Sequence, residues 1–147
     1  MAIAESRYAF PAIEGLHLIG LSIAVGLLFI TDLRLAGLIL RRVPLTTVLH
    51  NLRPWVLGGF VSIFVTGGLL FLAEATTLAG SAVFGVKLGF ILLAAINAAY
   101  FEFVIARKPA VRENHAVLPS SVRFAGLASL TLWSLVIVCG RLIPYLA

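Results

Sequence analysis

Four apolar stretches, at roughly 12–34, 55–75, 82–106 and 124–143, occupy most of this chain. Each has the ~20 residues that a helix needs to cross the hydrocarbon core of a bilayer. In lipid the backbone must satisfy its own polar groups, so each stretch has to be helical. With 147 residues in all, four such spans leave little for anything else. The expected fold is therefore all-α: an integral membrane four-helix bundle, one transmembrane domain over 1–147 and no soluble module. Composition agrees, at 61% hydrophobic and 12% charged residues, where a soluble domain sits nearer about half and a quarter.

Charge placement gives a direction of insertion. The net charge is +5, but the basic residues gather in two loops. Arg34, Arg41, Arg42 and Arg53 lie between the first and second spans, and Arg107, Lys108, Arg112 and Arg123 between the third and fourth. Only Arg7, Lys87 and Arg141 fall on the other side. The positive-inside rule predicts both loops in the cytoplasm and both termini on the outer, periplasmic side of a bacterial inner (cytoplasmic) membrane. This basic charge is a topology signal with a weak attraction to anionic lipid headgroups, so no nucleic-acid partner is expected. The segment "MAIAESRYAF" has no basic n-region, and the apolar run after it is too long for a signal peptide. The first helix is therefore expected to remain in the product. The single Cys139 lies inside the fourth span and excludes an intrachain disulfide.

From Ala12 to Leu40 nothing breaks the first helix except Gly37, and 29 helical residues would extend about 44 Å. Pro44 ends it and opens a predicted short interfacial helix over 44–53, before Pro54 starts or kinks the second span. Gly58, Gly59, Gly67 and Gly68 in the second span, and Gly85 and Gly89 in the third, mark places where helices approach closely in lipid. Asn97, the one amide well inside a span, reads as an interhelical hydrogen bond.

Ionisable groups inside membrane helices are costly and face partners or water. Here they form two layers: Glu14, His17, Lys87 and Arg141 towards the termini, and Asp32, Arg34, Glu102 and Arg123 towards the basic loops. Glu14 and His17 are three residues apart and share a helix face, which Gly20, Leu21 and Ala24 continue. Three readings of His17 stay open. As an axial ligand of haem b it would use the space over Gly20 and Ala24, with Lys87 and Arg141 neutralising propionates. As a quinone ligand it would hydrogen-bond a carbonyl while Glu14 exchanges protons. As a clasp it would bond Glu14 or a backbone carbonyl and bind no cofactor. The other layer reads as a structural ion-pair network, Asp32 and Arg34 pairing with Arg123 and Glu102 from neighbouring helices. His50 and His115 read as loop histidines at the basic side. No HxH, HxxxH, CxxC, P-loop, zincin or serine-triad pattern is present, so catalytic activity of the chain's own is not expected.

The segments "GLHLIGLSIAVG" leading to "DLRLAGL", "TGGLLF" and "FGVKLGFILLAAINAAYFE" touch three of the four helices. In these the chain resembles a family of small bacterial inner-membrane proteins of unassigned function. In helix number and an early-helix histidine it is loosely similar to copper-resistance-D-type proteins and to four-helix cytochrome b bundles. That likeness implies His17 as a haem ligand with Lys87 as its basic partner, although no second histidine stands at the depth of His17. The leading expectation is a small non-catalytic subunit in membrane electron transfer, binding haem b or quinone. Its partners would be the lipid bilayer and other membrane subunits, or copies of itself in a homo-oligomer. The alternatives are a structural or assembly subunit of a larger membrane complex and a small proton-coupled transporter.

Overall fold

A computed structural model describes residues 8–146. Six α-helices follow one another: α1 (Ala9–Leu35), α2 (Leu45–Ala73), the short α3 (Ala75–Ala79), α4 (Ala82–Tyr100), the single-turn α5 (Pro109–Arg112) and α6 (Ser120–Leu146). A π-helical turn, Phe101–Ile105, prolongs α4 and is closed by a bond from the Ala106 N–H to the Phe101 carbonyl at 2.8 Å. The described secondary structure is entirely helical, and α1, α2, α4 with its π-turn, and α6 are each long and apolar enough to cross a membrane. Two ends result. The basic end carries the connections α1–α2 and α4–α6, and the terminal end carries the start of α1, the end of α6 and the α2–α4 connection.

The helix boundaries depart from the sequence expectations in two places. Helix α1 stops at Leu35 and does not continue to Leu40. The chain turns at Gly37, whose φ of +74° is the left-handed region open to glycine, and Leu40 also has a positive φ of 49°. Arg34 secures this turn, its Nε and Nη2 donating to the Val43 carbonyl at 3.1 and 2.9 Å. The interfacial helix expected over 44–53 is not separate either, because it forms the first part of α2, which passes straight through Pro54. Pro54 removes one backbone donor, yet its neighbours Asn51, Arg53 and Trp55 are exposed, where water or headgroups can serve the freed carbonyl. Meanwhile Leu45, Val48 and Leu49 are buried and hold this first stretch of α2 in line. Leu45, Ile105, Val111 and Val122, each 1% exposed, make a tight core at the basic end.

Helix α1 is the hub. It packs antiparallel along α2 and along α6, and α6 packs along α4. Small residues bring the backbones together: a Cβ on Gly59 would lie 2.7 Å from the Ala24 Cβ, and one on Gly126 would lie 2.7 Å from the Asp32 carbonyl oxygen. The fourth side of the bundle, between α2 and α4, has no comparable backbone packing. Gly59→Val and Gly126→Val are each expected to destabilise the detergent-solubilised protein by roughly 1–3 kcal/mol through overpacking. Gly26→Val, where a Cβ meets nothing within 4 Å, should be near neutral. Thermal unfolding of the three variants tests this, and an unchanged midpoint for both interface variants would rule out the close approach.

Candidate functional site

Helices α2 and α4 are bridged near each end. At the terminal end Phe71 stacks on Phe84, with ring centroids 5.3 Å apart and planes 7° from parallel. At the basic end Arg53 Nη2 donates to Glu102 Oε1 at 2.8 Å. Between these bridges the gap holds two chambers, of about 340 Å³ towards the terminal end and about 100 Å³ towards the basic end. The Phe60 and Trp133 rings, 4.8 Å apart across the bundle, lie between them.

The first chamber is almost wholly apolar, with walls of Leu21, Ile63, Phe64, Ile91 and Trp133, and carries two ionisable side chains, His17 and Lys87. His17 is half-buried, and its Nδ1 lies 2.8 Å from Thr66 Oγ1. The Thr66 hydroxyl donates its one proton to the Ser62 carbonyl at 2.7 Å. The threonine oxygen therefore accepts, so the imidazole donates from Nδ1 and keeps its lone pair on Nε2. Gly67 lets the ring lie flat against α2, since a Cβ there would sit 3.1 Å from His17 Cε1. Lys87 reaches to α6, its Nζ 3.6 Å from where a Gly140 Cβ would be, and lines the same chamber as His17. An amine and an imidazole thus share one greasy chamber.

The second chamber is lined by Asp32 and Thr31 of α1, Ser129 of α6 and Asn97 of α4, with Arg53 and Glu102 at its basic end. Asp32 is 2% exposed. Its carboxyl meets the Ser129 hydroxyl, but Oδ2 has no hydrogen-bond partner. Asn97 makes the expected interhelical bond, its Nδ2 donating to the Ala125 carbonyl at 3.0 Å.

The residues singled out in the sequence divide as follows. His17 and Lys87 come together in the first chamber. Glu14 is exposed on α1 outside it, and His17 turns to Thr66 in its place. Arg141 is exposed and lies over the Tyr145 ring, 5.8 Å from its centroid. Gly20 and Ala24 do not open onto the chamber: a Cβ on Gly20 would lie 3.0 Å from Ile63 Cγ2, and Ala24 packs on Gly59. The predicted ion-pair layer is dispersed as well. Arg34 holds the Val43 carbonyl, Glu102 pairs with Arg53, and Arg123 is exposed beside the loops of the basic end. His115 pairs with Glu113 at 3.0 Å, and His50 is exposed.

Sequence reasoning missed Thr66, Trp133 and Arg53. Thr66 was nonetheless open to a register argument. With Ala24 against Gly59 in an antiparallel pair, the residue seven before Ala24 meets the residue seven after Gly59, two turns along each helix. A double-mutant cycle of His17→Phe and Thr66→Val, read by unfolding free energy, is expected to give a coupling of about 0.5–1.5 kcal/mol. A coupling indistinguishable from zero would remove the tautomer argument.

The model of a family of unknown function, DUF6644, matches residues 7–146. No curated protein and no solved structure matches the chain, and no similarity to copper-resistance or cytochrome b families is shown. A four-helix chain long and apolar enough to cross a membrane, matched over almost its whole length, belongs to the DUF6644 family.

Proposed function

We propose that this protein is a membrane-embedded quinone-binding subunit, non-catalytic by itself, which holds a quinone or quinol in the first chamber for a larger electron-transfer partner in a bacterial inner membrane. The observation that carries this reading is the His17–Thr66 hydrogen bond, which leaves the Nε2 lone pair available in an apolar chamber that also holds the Lys87 ammonium. A quinol hydroxyl donates to such a lone pair, and a quinone carbonyl accepts from such an ammonium. The chamber volume of about 340 Å³ falls at the lower end of the range for small-molecule sites, ~300–1,000 Å³. Its open side, flanked by the exposed Phe64 and Leu88, faces sideways between α2 and α4, where an isoprenoid tail can remain in lipid.

Haem b is the weaker candidate for the same histidine. The face over Gly20 and Ala24 that a macrocycle would need is filled by α2, and Arg141 is engaged with Tyr145.

Trp133 lies in the chamber wall, and the chain has two tryptophans, so Trp55→Phe leaves it as the only reporter. Titrating a short-chain isoprenoid quinone into that variant in nanodiscs should quench Trp133 saturably. His17→Phe or Lys87→Met should weaken binding about tenfold each, the value of one hydrogen bond worth about 1.4 kcal/mol. Unsaturable quenching that is the same in every variant would defeat the reading and leave a structural or assembly subunit. A Soret band in the purified protein, lost in His17→Ala, would put haem in its place.

A further inference from the structure

Among the described residues, Oδ2 of Asp32 is the only buried side-chain nitrogen or oxygen without a hydrogen-bond partner. The carboxyl is 2% exposed and stands beside a small chamber in the half of the bundle nearer the basic end. It lies about 22 Å along α1 from His17, 15 residues at 1.5 Å each. The charged groups facing that chamber are Arg53 from α2 and Glu102 from α4, and these satisfy one another at 2.8 Å. Helix α6 contributes no charged side chain to the lining, only Ala125 and Ser129. On α1 itself, Arg34 is turned towards the Val43 carbonyl. No cation therefore compensates Asp32, and an ionised carboxylate without a partner in so dry a place costs several kcal/mol.

Two occupants relieve that cost: a proton on the carboxyl or a bound metal cation. The side-chain oxygens lining it are those of Asp32, Ser129, Asn97, Thr31 and Glu102; the Glu102 carboxylate is held by Arg53, which leaves two carboxylate oxygens, two hydroxyls and one amide oxygen for a cation. That is fewer than the six or so oxygens that a hard cation collects. The chamber, at about 100 Å³, has room for water beside the carboxyl.

We propose that Asp32 is a proton-exchange site: a neutral carboxylic acid within the bundle whose Oδ2 proton passes to and from the basic end through the second chamber, with the Arg53–Glu102 pair as the barrier across its mouth. The geometry supports each part. A π-turn at Phe101–Ile105 carries both the buried Phe101 and Glu102 to the chamber lining, so the barrier is built from a local irregularity of α4. The pair itself is half-exposed, at 42% and 43%, and pairs of that kind are weak, near 0–1 kcal/mol, so the barrier can open. This site is independent of the quinone reading and stands if that reading fails.

The test uses the full chain in nanodiscs with dicyclohexylcarbodiimide, an apolar reagent that reacts with protonated carboxyls. The acid adds across one C=N bond to give an O-acylisourea, which rearranges to a stable N-acylurea with nothing lost. Peptide mass spectrometry at neutral pH should find the adduct on Asp32 and not on the paired Glu102. Labelling should fall as pH rises and be absent in Asp32→Asn. It should be faster in Arg53→Gln, where the barrier is opened. The infrared carbonyl stretch of a protonated carboxyl should disappear in the same Asp32→Asn protein, with folding checked by helicity and elution volume. Folded protein with no adduct on Asp32, in the parent and in Arg53→Gln alike, would overturn the proposal. Protection by sodium but not by choline at constant pH would also overturn it, by showing a metal cation where the proton is placed.

Discussion

Helix α1 meets its two neighbours at backbone distance, through Gly59 of α2 on one side and Gly126 of α6 on the other, and the rest of the bundle is arranged around that double contact. In lipid there is no hydrophobic gain from pressing one apolar helix against another, so association depends on close packing and internal hydrogen bonds. Ala24 with Gly59 closes α1 on α2 and Gly126 closes α6 on α1, but no such close approach joins α2 to α4. These two helices meet through an aromatic stack at one end and an ion pair at the other, and the space between becomes a slot. The slot follows from where the glycines are, since a bundle tight on all four sides would have no room for it.

The polar groups inside the spans meet the bilayer in two different ways. Most are satisfied across helices or locally: His17 by Thr66, Asn97 by the Ala125 carbonyl, Thr31 and Ser134 by carbonyls one turn back. Such bonds contribute modestly, about 1 kcal/mol each, but leaving the group unpaired in hydrocarbon is far worse. Among the described residues Asp32 is the exception: its Oδ2 has no hydrogen-bond partner, and the Arg53 guanidinium that lines the same chamber is held by Glu102. The two chambers differ accordingly. One is a wide apolar recess that holds His17 and Lys87, and the other is a narrower recess in which Asp32, Ser129 and Asn97 stand among apolar side chains.

Much of this architecture is visible in the residues alone. The four spans, the membrane setting and the sorting of basic residues to one end follow from hydropathy and composition, because lipid leaves the backbone few alternatives. Lys87 and His17 stand out as ionisable groups in apolar surroundings, and both do face one chamber. The helix boundaries were less legible. Pro54 reads as the start or a kink of the second span, but the helix already begins at Leu45 and runs on through it, with Leu45, Val48 and Leu49 buried on its first part. The run to Leu40 looked helical, but Gly37 turns the chain and Arg34 fastens the turn.

The choice of partner for each polar side chain was decided only in three dimensions. Glu14 is one helical turn from His17 and yet is not its partner, and Gly20 and Ala24, one and two turns further along α1, serve the contact with α2. Asp32 and Arg34 are two residues apart, hence on different faces of α1, so one enters the bundle and the other caps the loop. The sequence by itself determined which segments cross the bilayer and which end collects the positive charge, since those depend on the summed properties of many residues. The tertiary structure decided which helix faces touch, where the slot opens and which polar atom is left unpaired. Those outcomes turn on single close approaches between residues far apart in the chain, such as Gly59 with Ala24 and Gly126 with Asp32.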